Sequence, residues 1–310
     1  MDKANHIVSL ESWGKEDIFA LLDKAMKVKR NPGNYSESLK GKTLLMMFEK
    51  PSLRTRVSFE VAMTQLGGHA IYLDLITSPV KSKESLKDSA IVSSRYCDII
   101  MARMFDHEDI EELAKFATVP VINALTNKYH PCQILSDLLT LKEKKKSFPN
   151  LKLAFVGDGN NNITHSLLLG CSAIGMDISV GCPGELSPLN EVVNLAKKKA
   201  KIAGSNIEIV NDAVKAVRDA DVVYADSWMS YHISPEQKMQ RFKLLKPFQV
   251  TSELMGYAKP DAVFMNCLPA KRGEEQTADV IDGPHSIVYD QAENRLHMQK
   301  ALLLVLNSKL

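Results

Sequence analysis

The sequence predicts an α/β fold with two domains, each a mostly parallel sheet flanked by helices, joined by interdomain helices. A chain of 310 residues is long for one hydrophobic core, so two domains of roughly 150 residues each are expected. Short apolar runs typical of buried strands also alternate with helical patterns, which indicates βαβ units. We therefore expect one domain at residues 1–135, with a closing helix at 292–310 packed back on it, and a second domain at residues 150–291.

The first half of the chain alternates candidate strands with candidate helices. Apolar runs predict strands at Lys42–Phe48, Ala70–Asp74, Ile99–Ala102 and Val119–Asn123. Helical patterns lie between them, around Leu53–Leu66, Leu86–Tyr96 and Glu108–Ala117. The amphipathic segment from Gln133 to Lys145 follows, and its apolar stripe predicts one helix that bridges the two halves.

The second half repeats this alternation. It opens with the strand candidate Lys152–Val156, which runs into the polar turn Gly157–Asn162. Further apolar runs predict strands at Asp177–Gly181, Ile207–Val210, Asp221–Tyr224, Val263–Asn266 and Ser286–Asp290. The last segment, Ala292–Leu306, has the pattern of a closing helix.

Charge and cysteine content narrow the function classes. The net charge of +2 provides no field suited to nucleic acid. Five cysteines, an odd number without a C-x-x-C pair, favour reduced thiols in a cytoplasmic protein over a structural zinc site. The N-terminus lacks the apolar core of a signal peptide, and no apolar run approaches about 18 residues. We expect no membrane span and no nucleic-acid partner.

The segment Phe48–Glu60, F-E-K-P-S-L-R-T-R-V-S-F-E, carries the most information. A strand, a Pro-Ser turn and a helix in succession place Ser52 at an N-cap, where free N–H groups and the helix dipole suit a phosphate. Arg54 can grip phosphate oxygens with two hydrogen bonds, and the Thr55 hydroxyl can add a neutral donor. A capped surface helix with solvated arginines explains this segment alone equally well.

Four more polar groups follow predicted strands, where parallel sheets bind ligands. Arg103 closes I-I-M-A-R, although a lone arginine there is more often a surface residue. His130-Pro131-Cys132-Gln133 begins the bridging helix, so His130 is either a site residue or a helix cap. Gly157–Asn162 is not G-x-G-x-x-G and supports a dinucleotide site poorly. Asn266-Cys267-Leu268-Pro269 places a thiol at a strand end, either buried and inert or lining a site.

Together these motifs resemble the aspartate/ornithine carbamoyltransferase family, most closely its ornithine branch. The resemblance runs from about Gly41 to Val305, and several motifs in the right order make it strong. The matching segments are the one from Phe48, H-P-C-Q with S-D-L-L-T, G-D-G-N-N-N-I-T-H-S-L-L, D-S-W-M-S, N-C-L-P-A-K-R-G-E-E-Q-T-A-D-V-I-D-G-P and A-E-N-R-L-H-M-Q-K-A.

The resemblance implies a role for each matching residue. Carbamoyl phosphate would be bound by Ser52, Leu53, Arg54, Thr55, Arg103, His130, Gln133, Cys267, Leu268 and Arg295. Ser52, Arg54 and Thr55 would hold its phosphate. The carbonyl oxygen would be polarised by Thr55, Arg103 and His130, and the NH₂ group taken by Gln133 and the carbonyls near Cys267 and Leu268. Ornithine would be bound by Asn162, Asp226, Ser230 and Tyr231. The catalytic set would be Arg103, His130 and Cys267.

The implied reaction transfers a carbamoyl group from carbamoyl phosphate to the δ-amine of ornithine, giving citrulline and phosphate in arginine metabolism. It needs neither a metal nor a cofactor, and the resemblance implies a homotrimer or a multiple of trimers. Two alternatives stay open. One is a carbamoyltransferase for another amine, such as acylated ornithine, putrescine or aspartate. The other is a non-catalytic relative that binds carbamoyl phosphate.

The chain departs from the family pattern at several positions. Leu53 replaces a threonine, and Asn266 replaces the histidine that usually precedes Cys-Leu-Pro. Ser230-Tyr231-His232 stands where the ornithine branch has Ser-Met-Gly, which makes the amine less certain than the carbamoyl transfer. The loop with Lys81 and Lys83 lacks the usual Gln and Gly, and either lysine could serve a neighbouring subunit's phosphate site or be solvated.

Overall fold

The computed structural model describes residues 6–78, 80–81, 83–145, 147–229 and 235–308. The chain divides into two compact units. Unit 1 comprises residues 1–139 and 293–310, and unit 2 comprises residues 140–292.

Unit 1 is built on a five-stranded sheet with helices between the strands. Its elements in chain order are β1 (His6–Ile7), α1 (Lys15–Arg30), β2 (Thr43–Phe48), α2 (Leu53–Gln65), β3 (His69–Asp74), α3 (Leu86–Ser93), β4 (Ile99–Arg103), α4 (His107–Phe116), β5 (Val121–Leu125) and α5 (Pro131–Lys145).

The strand order in this sheet is β1-β5-β4-β2-β3, and every neighbouring pair is parallel. The central strands β4 and β5 are buried along their full length, which explains their unbroken apolar sequences. Phe48 at the end of β2 pairs with Arg103 at the end of β4. The loops that carry Ser52, Arg103 and His130 therefore leave the same edge of the sheet.

Unit 2 has the same architecture. Its elements are β6 (Lys152–Val156), α6 (Asn162–Ile174), β7 (Asp177–Gly181), α7 (Asn190–Ala203), β8 (Ile207–Val210), α8 (Ala213–Val217), β9 (Val222–Ala225), α9 (Pro235–Leu245), α10 (Ser252–Met255), β10 (Val263–Asn266), α11 (Ala278–Ile281) and α12 (Val288–Asn307), which continues into unit 1.

The second sheet has the order β10-β9-β6-β7-β8, and its neighbouring strands are again parallel. Asn266 pairs with Ala225 at the ends of β10 and β9, so Cys267 and Asp226 leave adjacent strands at the same level. The β9–β10 edge thus brings together two segments that are 41 residues apart.

The helices α5 and α12 each contain a boundary between the units. This agrees with the predicted α/β fold of two parallel-sheet units connected by helices, and that fold class is confirmed. Among the helices in the described part of the chain, none is long and apolar enough to cross a membrane.

The predicted strand at Ser286–Asp290 is wrong. The backbone at Phe264 exchanges hydrogen bonds with His285 and Ile287, but only the isolated bridge between Phe264 and Ser286 results, and α12 already begins at Val288. The chain therefore turns into the helix before a ladder can form. The helix α1 was not predicted, and β5 begins two residues later than its apolar run.

Candidate active site

The turn after β2 forms a capped helix start. Ser52 has an extended backbone, and its side chain accepts a hydrogen bond from the Thr55 N–H at 3.3 Å. The Ser52 hydroxyl also donates to the Thr55 hydroxyl at 3.1 Å. Thr55 is buried, whereas the Leu53 side chain is 76% exposed. The positive end of the α2 dipole and these hydroxyls make the turn suitable for an anion.

The two arginines beside Thr55 have different surroundings. Arg56 donates to Glu60 at 2.9 Å and stacks 3.9 Å from the ring centre of Tyr72. Arg54 is half-buried, and its charge is one of those that lower the pKa of His130. Of these two arginines, only Arg54 is among the charges that act on His130.

Arg103, the last residue of β4, is almost fully buried. Its Nε donates to the Lys50 carbonyl at 3.1 Å, which ties the end of this strand to the turn that precedes Ser52. Burial of a guanidinium is costly unless it is hydrogen-bonded. Arg103 is therefore part of the sheet edge and is not a solvated surface arginine.

His130 lies immediately before α5 and is 4% exposed. Burial lowers its pKa well below the ordinary value. The pKa is lowered further by the positive charges of Arg295, Arg103, Lys50 and Arg54. The imidazole is consequently neutral at neutral pH. A neutral ring keeps one N–H donor and one acceptor nitrogen, so His130 can donate to a developing oxyanion without carrying charge itself.

Arg295 on α12 connects two other elements of unit 1. Its guanidinium donates to the Gln133 side-chain carbonyl at 2.6 Å and to the Thr55 hydroxyl at 3.1 Å. Gln133 in turn donates its amide hydrogen to Asp137 at 2.8 Å. All four side chains are at least 97% buried. The structure thus assembles Thr55, Gln133 and Arg295, which sequence reasoning placed in one site, into one hydrogen-bonded group.

The chemistry of the unit 1 group suits an anion and not a cation. Four positive side chains, Lys50, Arg54, Arg103 and Arg295, are near enough to His130 to act on its pKa. Within the described residues, no group of three or more His, Cys, Asp or Glu side chains could hold a metal ion.

In unit 2, the Cys267 thiol donates to the Asp226 carboxylate at 3.1 Å. Cys267 is half-buried, whereas the other four cysteines, Cys97, Cys132, Cys171 and Cys182, are buried. The next residue, Leu268, has a positive φ of 56°, a conformation that side chains adopt at a cost. The strand end therefore presents a thiol, a carboxylate and a sharply turned backbone side by side.

The turn after β6 is organised by its own polar side chains. The Asn161 side chain caps α6 by accepting the Thr164 N–H at 2.8 Å, and Asn162 is the first residue of that helix. The buried Asp158 forms an ion pair with Arg241 from α9. Asn162 is partly exposed at the start of α6.

The remaining candidate positions are Ser230, Tyr231, Lys81 and Lys83. Ser230 and Tyr231 lie outside the described residues. Lys81 forms ion pairs within its own chain, with Glu49 at 2.7 Å and Asp109 at 2.5 Å. Lys83 is exposed.

Sequence reasoning missed two charged residues that organise the site. Asp137 lies four residues after Gln133 on α5, and this spacing places the two side chains on one helix face, so the contact was detectable. Arg241 pairs with Asp158 across 83 residues and also donates to the Trp228 carbonyl at 3.0 Å. No local pattern marks a contact of that range.

The fold and the site define a two-unit α/β protein with a cationic, anion-binding group in one unit and a carboxylate–thiol pair in the other. Family models match both units. Residues 5–143 match the carbamoyl-P binding domain of aspartate/ornithine carbamoyltransferase, and residues 149–306 match its Asp/Orn binding domain. The chain belongs to the aspartate/ornithine carbamoyltransferase family.

Individual relatives resemble the chain over nearly its whole length. It is 48% identical over 306 residues to the ornithine carbamoyltransferase of Pyrococcus abyssi, covering 98% of this chain and 96% of the relative. The anabolic ornithine carbamoyltransferase of Pyrococcus furiosus is 49% identical over 299 residues, covering 96% and 94%. A solved ornithine carbamoyltransferase structure from Pyrococcus furiosus superposes with a TM-score of 0.95 at 47% identity, covering 99% of this chain and 98% of that one.

Proposed function

We propose that the chain is an ornithine carbamoyltransferase, which transfers the carbamoyl group of carbamoyl phosphate to the δ-amine of ornithine. The observation that carries this proposal is the neutral, buried His130 among four cationic side chains, in a chain that belongs to this family. A relative named as the anabolic enzyme, at 49% identity, supports the biosynthetic direction toward citrulline in arginine metabolism.

The phosphate of carbamoyl phosphate binds at the start of α2 in this proposal. Ser52 and Thr55 supply hydroxyls, Arg54 supplies a bidentate cation, and Leu53 contributes through its backbone because its side chain is exposed. Phosphate is the leaving group, so donors that bind it tightly also stabilise the charge that it gains as the C–O bond breaks.

The carbonyl oxygen of the substrate is polarised by Arg103, His130 and Thr55. As the amine attacks, negative charge grows on this oxygen, and donors held in place beforehand stabilise it without reorganising. Burial of His130 and Arg103 supports this role because a hydrogen bond is stronger where water is excluded.

Gln133 and the carbonyls near Cys267 and Leu268 accept hydrogen bonds from the carbamoyl NH₂ group. The orientation of the Gln133 amide supports its part of this role. Its NH₂ group donates to Asp137 and its oxygen faces Arg295, so the oxygen keeps a second lone pair for the substrate. Arg295 completes the carbamoyl phosphate site.

Asn162 and Asp226, with Ser230 and Tyr231, bind the amino-acid end of ornithine. An ionised carboxylate such as Asp226 accepts charge-assisted hydrogen bonds from an α-ammonium group. This favours free ornithine over ornithine acylated on its α-amine, which lacks that group.

The transfer forms one C–N bond and breaks one C–O bond. The neutral δ-amine attacks the carbamoyl carbon, the phosphate leaves, and the nitrogen loses a proton. An alkyl amine has a pKa of about 10.4, so supplying its neutral form is part of the work of the enzyme. Cys267 and Asp226, joined by their hydrogen bond, are the groups of unit 2 that we assign to the amine.

The working unit in this proposal is a homotrimer, or a multiple of trimers, in the cytoplasm. Exposed apolar side chains on α2 and on the edge strand β3 support self-association, among them Leu53, Val57 and Ile71. Five free cysteines are typical of a reducing compartment. Light scattering of the purified chain tests the assembly, and a monomer would contradict it.

Citrulline formation tests the function. Purified protein with carbamoyl phosphate and ornithine is expected to release citrulline and phosphate in equal amounts. Protein carrying Arg54→Ala, prepared in the same way, controls for a contaminating enzyme. Phosphate release without citrulline, or equal rates with both proteins, would contradict the proposal.

A further inference from the structure

A line of buried amides lies directly beneath the Cys267–Leu268 turn. Asn266, the residue that departs from the family pattern, is fully buried at the end of β10. Its side-chain oxygen accepts the Leu268 N–H at 2.8 Å, and its side-chain nitrogen donates to the Gln276 oxygen at 3.1 Å. The Gln276 nitrogen then donates to the Lys271 carbonyl at 3.2 Å.

These hydrogen bonds run in one direction. The line begins at a backbone donor, Leu268, and ends at a backbone acceptor, Lys271. Because each end can play only one role, the orientation of both amides in between is fixed. Neither amide can be flipped without placing two donors or two acceptors against each other in a buried setting, which is costly.

The backbone of Asn266 is also fixed. Its N–H donates to the Gln291 side chain at 3.0 Å, and Gln291 donates to the Tyr224 hydroxyl at 3.0 Å. Gln276, Gln291 and Tyr224 are all fully buried. Four buried polar side chains thus converge on one strand end.

The group held by this network is the turn that faces Asp226. Leu268 has a φ of 56°, which is a strained backbone conformation. The hydrogen bond from its N–H to the Asn266 side chain stabilises this conformation. The preceding residue, Cys267, reaches Asp226 at 3.1 Å. A shift of Leu268 would therefore move both the turn carbonyls and the thiol.

We propose that Asn266 and Gln276 are positioning residues that set the Cys267–Leu268 turn for the carbamoyl NH₂ group. This inference rests on the proposed function, which assigns the turn carbonyls to that group. Asn266 supplies one acceptor and one donor, and a neutral histidine ring can supply the same pair. The exchange of histidine for asparagine therefore preserves the positioning and leaves the choice of amine to other residues.

Three variants of Asn266 separate the two hydrogen bonds. Asn266→Leu removes both at similar volume, Asn266→Asp keeps the acceptor for Leu268 but loses the donor to Gln276, and Asn266→His keeps both. Val223→Ala is the matched control, because it opens the buried core of the neighbouring strand β9 without touching the network. We expect it to melt at a lower temperature with unchanged kinetics.

Steady-state kinetics provide the first measurement. Asn266→Leu and Asn266→Asp are expected to lower kcat/KM for carbamoyl phosphate by about 10–100-fold, as misplacement of a substrate contact does. Asn266→His is expected to stay within about threefold of the original protein. If the Leu and Asp variants stay within twofold, or if Val223→Ala loses as much as they do, the positioning role is wrong.

Alkylation of Cys267 by iodoacetamide, followed by peptide mass spectrometry, provides a measurement that does not need activity. Iodoacetamide reacts with the thiolate form of cysteine. While the amides hold the turn, the negative charge of the Asp226 carboxylate disfavours formation of the Cys267 thiolate. We expect about tenfold faster alkylation in Asn266→Leu and an unchanged rate in Val223→Ala. An unchanged rate in both would overturn the inference. If Asn266→Leu does not fold, the alkylation rate is measured in Gln276→Met, which leaves Asn266 without its acceptor. A faster rate than in the original protein supports the inference, and an unchanged rate overturns it.

The two measurements also separate this inference from the proposed function. Absence of citrulline formation by the original protein would defeat the proposed function, and the alkylation rates would still decide whether the amides position the turn. Normal citrulline formation with unchanged alkylation and kinetics in all Asn266 variants would defeat the inference alone.

Discussion

The Arg295 guanidinium donates to the Gln133 side-chain carbonyl at 2.6 Å, across 162 residues of sequence. This contact joins α12 to the start of α5, one turn from His130. Asp137 accepts from the other side of the same amide, so Gln133 is held between a cation and an anion. The orientation of Gln133 is thereby fixed before any substrate arrives, which is the arrangement expected of a preorganised site.

Asp137 is expected to act through Gln133. Asp137→Leu removes the acceptor of the Gln133 amide, which can then rotate and turn its oxygen away from the substrate. We expect kcat/KM for carbamoyl phosphate to fall by about tenfold or more. Asp137→Asn, which keeps an acceptor oxygen, is expected to lose less. Equal losses in the two variants would show that the charge of Asp137 matters and the orientation of Gln133 does not.

Arg54 is expected to bind carbamoyl phosphate. Arg54→Ala removes a charged hydrogen bond contributing about 1.5–3 kcal/mol, so KM for carbamoyl phosphate should rise by about 10–150-fold. Arg56→Ala is the control two residues away, since Arg56 is occupied by Glu60 and Tyr72. An unchanged KM in Arg54→Ala, or an equal rise in Arg56→Ala, would contradict this assignment.

His130 is expected to act on turnover more than on binding, because its hydrogen bond strengthens as the carbonyl oxygen gains charge. His130→Ala should lower kcat by about 10²–10³-fold, as loss of one oxyanion donor does. His285→Ala in unit 2, which removes a histidine bonded to the Ala262 carbonyl, serves as the control. A loss of only a few-fold in kcat would leave His130 with the role of a helix cap.

The lowered pKa of His130 also affects stability. In the unfolded chain His130 takes up a proton as the pH falls below about 6.5, whereas in the folded chain its pKa is well below that value. The unfolded state then binds more protons, so stability is lost as pH falls from 7.5 to 5.5, by at most about 1.4 kcal/mol per pH unit for this group.

Urea unfolding at several pH values checks this effect in His130→Gln. The variant should lose less stability than the original protein between pH 7.5 and 5.5. The comparison is needed because burial also lowers the pKa of His107 and His297, which contribute to the slope in both proteins. Parallel slopes in the two proteins would show that His130 titrates normally in the folded state.

Most of the sheet was predictable because parallel central strands are buried on both faces and leave unbroken apolar runs. This explains why the predicted ranges at Lys152–Val156 and Asp177–Gly181 coincide with β6 and β7. The run at Ile287–Val288 carries the same signal, but there the backbone pairs only briefly with Phe264 before α12 begins. Local hydrophobicity cannot reveal how long a pairing lasts.

The placement of candidate site residues at one sheet edge was predictable where they follow strand ends in sequence, as Ser52, Arg103 and His130 do. The contacts that orient these residues depend on tertiary structure. Asn266 meets Gln276 and Gln291 through hydrogen bonds that no periodicity marks. The sequence identified Asn266 only as an unusual residue, and its partners became identifiable once β10 and the following turn were placed.

The assignment of ornithine depends on Asp226. In the proposed function its half-buried carboxylate, which also accepts a hydrogen bond from Cys267, pairs with the α-ammonium of a free amino acid. An amine acylated at that position cannot supply this charge-assisted hydrogen bond. Asp226→Asn should therefore raise KM for ornithine far more than KM for carbamoyl phosphate. Comparable rises in both would indicate a general disturbance of the Cys267 turn.

One competition experiment tests the central claim most directly. Equal concentrations of ornithine, acetylornithine, putrescine and aspartate are offered with carbamoyl phosphate, and the carbamoylated products are quantified by mass spectrometry. We predict that citrulline forms fastest, because acetylornithine lacks the α-ammonium group that Asp226 accepts, putrescine lacks the α-carboxylate and aspartate lacks a δ-amine. Faster carbamoylation of acetylornithine, putrescine or aspartate would contradict the assignment of ornithine as the substrate.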